Sequence, residues 1–300
     1  MSSRFLVVCL NPVIQNTLVF GSLRKGEVNR SAEHRIDASG KGVNVARVLG
    51  QAGGTAVHLS QLGGPTRDWF LALCAADGIE VRWAESGSEI RVCTTVIDRT
   101  DGSATELVQE ARRVGDGTFA RVLAEFESAL PSCDAVVLSG TKASGYPEET
   151  MPALASLASR SGKTLFLDLK GKDLLACLPS KPLVAKPNLE ELLQTFPAQA
   201  PAPGGEREFV AGLGRDLAER YGTSLVVTRG HRPTWYWREG DLREHAVHEI
   251  EALNPIGSGD SFMAGLALAL MGGRSLDEAV AEGTRLGALN AQRLKPGSIE

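Results

Sequence analysis

A chain of 300 residues, 43% of them hydrophobic and 23% charged, is long enough for one large α/β domain with a small appendage. Its formal net charge of −4 gives no general attraction to nucleic acid or to an anionic membrane surface. No run approaches about 18 consecutive apolar residues, and "MSSRFLVVCLNPV" is too short and too soon interrupted for a signal peptide. The five scattered cysteines form no CxxC pair and read as reduced core residues, so the expectation is a cytoplasmic protein without membrane or nucleic-acid partners.

Short strand-like runs alternate with helical ones along the chain. "FLVVCL" (5–10) reads as a buried strand and "GVNVARVLGQAGG" (42–54) as a helix ended by glycine. "AVHLSQLG" (56–63) is a strand, followed by a helix through "RDWFLALCAADG" (67–78). Further on, "DAVVLSG" (134–140), "TLFLDL" (164–169), "PLVAKPN" (182–188) and "SLVVTRG" (224–230) read as strands. Helices are expected at 147–161, briefly after 169, at 206–222, after Asp260 and near 276–293.

That alternation predicts a three-layer α/β sandwich with a mainly parallel central sheet. Residues 17–37 and about 88–108 alternate apolar and polar side chains without partner helices. They predict a small β-sheet lid, with strands drawn from about 12–37 and 88–110, over one end of a single domain spanning 1–300. The Pro/Gly-rich "PAQAPAPGG" (197–205) reads as a surface loop within that domain.

Three places carry candidate chemistry. In "NPIGSGDSFMAG", Gly257, Ser258 and Gly259 precede a helix with hardly any polar face, and they deliver one carboxylate, Asp260, to its start. Small residues at a helix N-terminus let backbone N–H groups point at an anion. Asp260 would repel a phosphate but could take a proton from a hydroxyl attacking one. In "ASGKGVNVARVLGQAGG", Gly40 and Gly42 permit close backbone approach, and Lys41 and Asn44 face the same opening. In "KPNLEEL", Asn188 and Glu191 share a face three residues apart, a pairing suited to hydrated Mg2+. Spacing alone leaves each of these open, because Asp260 and Asn188 also read as helix caps and the glycine turn as a plain helix start.

Other patterns do not match. The glycine turn is neither GxGxxG nor a Walker A loop, and no GxSxG elbow occurs. His245 and His248, three apart in an expected strand, fall on opposite faces and make a poor metal pair. Trp235, Tyr236 and Trp237 read as packing a sheet rather than stacking bases.

In their order along the chain, "SGKGVNVARVLGQAGG", "KPNLEEL" and "NPIGSGDSFMAG" resemble the PfkB, or ribokinase-like, carbohydrate kinases over nearly the whole length. "CLNPVIQNTLVF", "GEVNR", "GKGVNVARVL" and "VVLSG" look most like the hexose-phosphate branch, the 1-phosphofructokinases and tagatose-6-phosphate kinases. The resemblance implies a ribokinase-like core with a β-sheet lid that often supplies a homodimer contact, and ATP, Mg2+ and a phosphorylated ketohexose as ligands. It also implies Asp260 as catalytic base, with the Gly257–Gly259 backbone as anion hole. Lys186, Asn188 and Glu191 match nucleotide and Mg2+-phosphate positions, the metal being held through water, and Thr228 and Gly230 match the nucleotide loop. Gln15, Gly40, Lys41 and Asn44 match sugar-contacting positions, and Arg91 a lid-borne arginine that grips the substrate's own phosphate.

Departures gather on the sugar side. Gln15 stands where the branch usually has aspartate, and Ser39 where "GGKG" has its first glycine. The usual "SGSLPPG" is "SGTKASG" (139–145), which adds Lys142. The usual "TELNEPGP"-like stretch is "TELVQEARRV" (105–114), which adds Arg112 and Arg113. These cations read either as solvated surface charges, the favoured reading, or as contacts for a more anionic substrate. A kinase of an unphosphorylated sugar or nucleoside stays open beside the sugar-phosphate kinase, as does a non-catalytic sugar-phosphate sensor.

Overall fold

The computed structural model describes residues 3–202 and 204–300. Met1 and Ser2, part of the leader reading, and Pro203, within the 197–205 loop, lie outside the described residues. The chain opens with β1 (Arg4–Val8), where Leu6 and Val8 enter the core on one side of the main sheet and Phe5 and Val7 the core on the other. Burial on both faces is what a continuous apolar strand requires in a parallel sheet.

β2 (Val13–Phe20) and β3 (Glu33–Ser39) lead to α1 (Lys41–Gln51), β4 (Thr55–Leu62), α2 (Arg67–Ala76) and β5 (Glu80–Glu85). β6 (Arg91–Asp98) and β7 (Ser103–Val108) precede α3 (Thr118–Ala129), β8 (Ala135–Ser139), α4 (Thr150–Arg160) and β9 (Thr164–Asp168). Then come α5 (Gly171–Cys177), β10 (Val184–Ala185), α6 (Leu189–Thr195), α7 (Glu206–Tyr221) and β11 (Ser224–Arg229). The hairpin β12 (Arg232–Arg238) and β13 (Asp241–His245) is followed by α8 (Ser258–Met271) and α9 (Leu276–Ala291).

Among the described residues, nine strands form one sheet in the order β13-β12-β11-β10-β9-β8-β1-β4-β5, parallel from β11 to β5 and antiparallel across β12 and β13. β4 and β5 extend it on one side of β1, and β8 to β11 on the other. The order therefore reverses between β1 and β8, and in such sheets ligands bind beyond the strand carboxyl ends at that crevice.

The remaining strands form a separate sheet, β3-β2-β6-β7, with β2 and β6 parallel and both outer pairs antiparallel. β2 begins a few residues after β1 ends, and β3 returns into α1 through Gly40, whose φ of 102° suits glycine. The small sheet is thus tethered at the carboxyl end of β1, beside the crevice.

The sequence reading differs from the structure at several elements. The expected strand 182–188 is only Val184–Ala185, because Pro182 and Pro187 bracket it and supply no N–H to a ladder. β5 and α3 are additional to the reading. β13 ends at His245, so His248 lies in the loop beyond it. Trp235, Tyr236 and Trp237 do pack within the sheet, each nearly buried. All five cysteines are free and buried. Among the described residues no helix is long and apolar enough to cross a membrane.

Candidate active site

α8 carries the first part of the site. Gly257 caps it at a φ of 86°, and Asp260 sits in its first turn, 6% exposed. The helix is otherwise buried along most of its length and crosses α9 closely, where a β-carbon on Gly265 would meet the Glu282 carbonyl at 2.9 Å. The Ser258 N–H is tied to Pro255 O at 3.2 Å, leaving the other early amides of the turn to the site. The Lys186 ammonium lies against Gly259, 3.7 Å from where a β-carbon would stand. A helix N-terminus and a buried cation therefore converge beside one carboxylate.

α1 brings the second part. Lys41 Nζ lies 3.2 Å from Asp168 Oδ1 and 3.2 Å from Glu191 Oε1. Lys186 Nζ is 3.5 Å from the same Asp168 oxygen. Asn44 Nδ2 donates to Asp260 Oδ2 at 2.8 Å, so the glycine turn and the late motif, 216 residues apart, meet directly. The Asp260 carboxyl is pushed up to about 7. Burial disfavours its charge most strongly; Lys41 opposes that, Asp168 adds repulsion, and the Asn44 hydrogen bond and Lys186 favour the ionised form. Burial acts on Asp168 in the same direction, but Lys186 and Lys41 hold it below the ordinary carboxylate range. Lys41, pulled down by burial, is held up by Asp168, Glu191 and Asp260 and stays charged.

A cavity of about 140 Å³ opens at the strand reversal, lined by Cys9, Asn11, Lys41, Arg91, Gly140 and Asp168 among others. Arg91 reaches it because β6 pairs with β2 in the register Val13↔Arg91, at the foot of the small sheet. Its buried Nε has no partner among the described residues, nor has Asn11 Oδ1, while Asn11 Nδ2 donates to Thr141 Oγ1 at 3.1 Å. Gln15 lies deeper in the small sheet, buried, with Nε2 donating to Thr95 Oγ1 at 2.9 Å.

Asn188 and Glu191 form a reciprocal capping box on α6: Asn188 Oδ1 accepts from Glu191 N at 2.8 Å, and Glu191 Oε2 from Asn188 N at 3.1 Å. The capping reading of Asn188 is therefore correct in structure, and Glu191 still turns Oε1 toward the cavity. Thr228 bridges to Asn188 and donates its N–H to Pro187 O, with Gly230 (φ 65°) in the turn just after, so these positions share one end of the sheet. Among the described residues no three His, Cys, Asp or Glu side chains cluster to hold a metal. The hard oxygens of Asn188 and Glu191, already fixed by the cap, fit Mg2+ that arrives on phosphates and keeps its waters.

The added cations divide. Lys142 is tied to Asp173 of α5, both largely buried, whereas Arg112 is exposed and pairs with Glu89 at 3.4 Å. The sequence reading passed over Asp168, Asn11 and Arg47. Asp168 closes the apolar strand "TLFLDL", and that lone carboxylate at a strand's carboxyl end was the available signal.

This arrangement, an α/β sheet with a basic crevice, a helix N-terminus and a buried carboxylate, is that of a phosphoryl-handling enzyme. Residues 6–299 match the model of the pfkB family carbohydrate kinases, and the chain belongs to that family. It is an ATP-dependent sugar kinase. The fold is similar to that of phosphofructokinase-2 from Escherichia coli in its tetrameric inhibited form, with 21% identity, TM-score 0.84 and coverage of 97% of this chain and 94% of that one. It is also similar to a possible 1-phosphofructokinase from Thermotoga maritima, with 20% identity, TM-score 0.87 and coverage of 97% and 93%. The Escherichia coli enzyme in complex with fructose-6-phosphate aligns at 21% identity and TM-score 0.84, covering 99% and 95%.

Proposed function

We propose that the protein transfers a phosphoryl group from ATP to the free primary hydroxyl of a ketohexose phosphate, fructose 1-phosphate or tagatose 6-phosphate, giving a ketohexose bisphosphate. The observation that carries this reading is Asp260, a buried carboxyl pushed up to about 7 at the mouth of α8, which feels the charges of Lys41 and Asp168, and these two line the cavity together with Arg91. A base poised near the working pH combines a useful ionised fraction with a real affinity for the proton.

In the proposed step Asp260 accepts the hydroxyl proton as that oxygen bonds to the γ-phosphorus. The bond from this phosphorus to the β–γ bridging oxygen breaks, and ADP leaves with the electron pair. The Gly257 and Gly259 amides and Lys186 stabilise the charge developing on the transferring group, while the Ser258 N–H between them stays on Pro255 O; one such donor is typically worth about 3–4 kcal/mol. Bound Mg2+ would neutralise phosphate charge, with Asn188 and Glu191 holding it through water. Thr228 and Gly230 border the nucleotide and Gly40 and Lys41 the sugar, while Asn44 is committed to Asp260 and Gln15, bonded to Thr95, stands back from the sugar in the small sheet.

The unpartnered Arg91 Nε supports a second anion in the cavity, the substrate's own phosphate, since a guanidinium fork matches a phosphate's oxygens. A homodimer joined through the small sheet is supported by Ile36, Val92 and Leu107, exposed apolar side chains on one face of it. The test is ADP release with ATP-Mg2+ against fructose 1-phosphate, tagatose 6-phosphate, fructose 6-phosphate, fructose, ribose and adenosine. Turnover concentrated on one of the first two supports the proposal. Activity confined to fructose, ribose or adenosine overturns the role given to Arg91, and silence across the panel points to a substrate outside it or to a sensor.

A further inference from the structure

The Asn44 side chain meets donors on one end and a carboxylate on the other. Arg47 Nη1 lies 3.2 Å from Asn44 Oδ1, and a guanidinium can only donate, so the atom facing it must be the amide oxygen. Ser39 Oγ donates to the same oxygen at 3.1 Å. The opposite end, Nδ2, is therefore the one presented to Asp260 Oδ2.

Arg47 is itself fixed. It is 2% exposed, its Nε is 2.8 Å from Asp77 Oδ2, and its other nitrogens donate to Pro296 O at 3.0 Å, to Gly297 O at 3.3 Å and to Ala38 O. Lys295 pairs with the same Asp77. None of these partners touches the cavity, so the site already described does not account for a buried guanidinium at this point.

We propose that Arg47 and Ser39 are positioning residues for Asp260, acting through Asn44: by occupying its carbonyl they stop the amide from turning over and keep an N–H on the carboxylate. A turned amide would aim an oxygen at Asp260, repelling the ionised form and accepting a proton from the acid. The base would be both misdirected and harder to ionise. Ser39 stands where the resembling kinases carry glycine, so its hydroxyl adds a second donor in this chain. The inference rests on Asp260 being the base. The other titratable groups facing it are Lys41 on α1, Asp168 at the end of β9, Lys186 just after β10 and the buried Cys9 thiol just after β1, and none of them is changed by substitution at 39 or 47.

The experiment follows the Asp260 carboxyl directly, by 13C NMR of the protein labelled at aspartate Cγ, with its resonance assigned through Asp260→Asn. Ser39→Ala and Arg47→Lys, which keeps the charge, are each expected to raise the Asp260 midpoint by about half to one pH unit. In an Asn44→Ala background neither should move it further. Midpoints unchanged in the single variants, or shifted as much without Asn44, would overturn the proposal. Ser39→Ala alone decides the matter if Arg47→Lys does not fold. The titration needs no substrate: a midpoint that moves in a protein turning over no sugar keeps this inference and rejects the kinase step, whereas turnover with an unmoved midpoint does the reverse.

Discussion

A β-carbon on Gly257 would stand 2.3 Å from the amide nitrogen of Gly297, so the cap of α8 and the last turn of the chain meet backbone to backbone. Gly297 in turn would place its β-carbon 2.3 Å from that of Asn44, at a φ of 61°. The C-terminal segment is therefore a wedge between the proposed anion hole and the residue holding the base. Gly297→Ala should cost about 1–3 kcal/mol in stability and lower kcat as well, since relief requires Asn44 to move. A variant with wild-type melting and turnover would show that the wedge yields freely.

Asp260 sets a pH dependence of stability whose sign can be worked out. Its carboxyl is raised from 3.8 to about 7, so its contribution to folding is full below about 4 and is lost as pH rises through 7. Asp260→Asn removes a buried charge while keeping an acceptor for Asn44. Thermal melts should find this variant more stable than the parent at pH 8, with the difference closing toward pH 4. Parallel curves would mean the carboxyl ionises as easily in the folded chain as in the unfolded one.

Arg91→Ala separates a phosphorylated from a neutral substrate. Hydrogen bonds to charged groups are worth about 1.5–3 kcal/mol, so KM for the sugar phosphate should rise about 10- to 100-fold. The KM for ATP should hardly change. Equal weakening toward both substrates would place Arg91 elsewhere in the cycle.

If the small sheet joins two copies, Leu107→Asp should convert a dimer to a monomer in sedimentation velocity, because a carboxylate cannot be buried there unpaired. Leu107 is 57% exposed, so folding of the single chain should be unaffected.

Much of the fold was legible because the strands of a parallel sheet must be apolar on both faces. "FLVVCL", "DAVVLSG" and "SLVVTRG" carry that signal without ambiguity. β5, "EVRWAE", did not: it lies at the sheet edge, half-buried, with charged residues at both ends. The glycine-rich helix starts were visible as patterns, yet their convergence was not, since Asn44 and Asp260 are 216 residues apart and only the sheet order brings them together. Asp168 was missed because one carboxylate after an apolar strand has no period to detect. Its partners Lys41 and Lys186 come from other parts of the chain.

The most direct test of the account is the turnover of Asp260→Asn with ATP-Mg2+ and the best sugar phosphate, alongside nucleotide binding by calorimetry. The account predicts a kcat lower by about 10²–10⁴-fold, with the Kd for nucleotide nearly unchanged. A variant that retains turnover would contradict it and move the base to another residue.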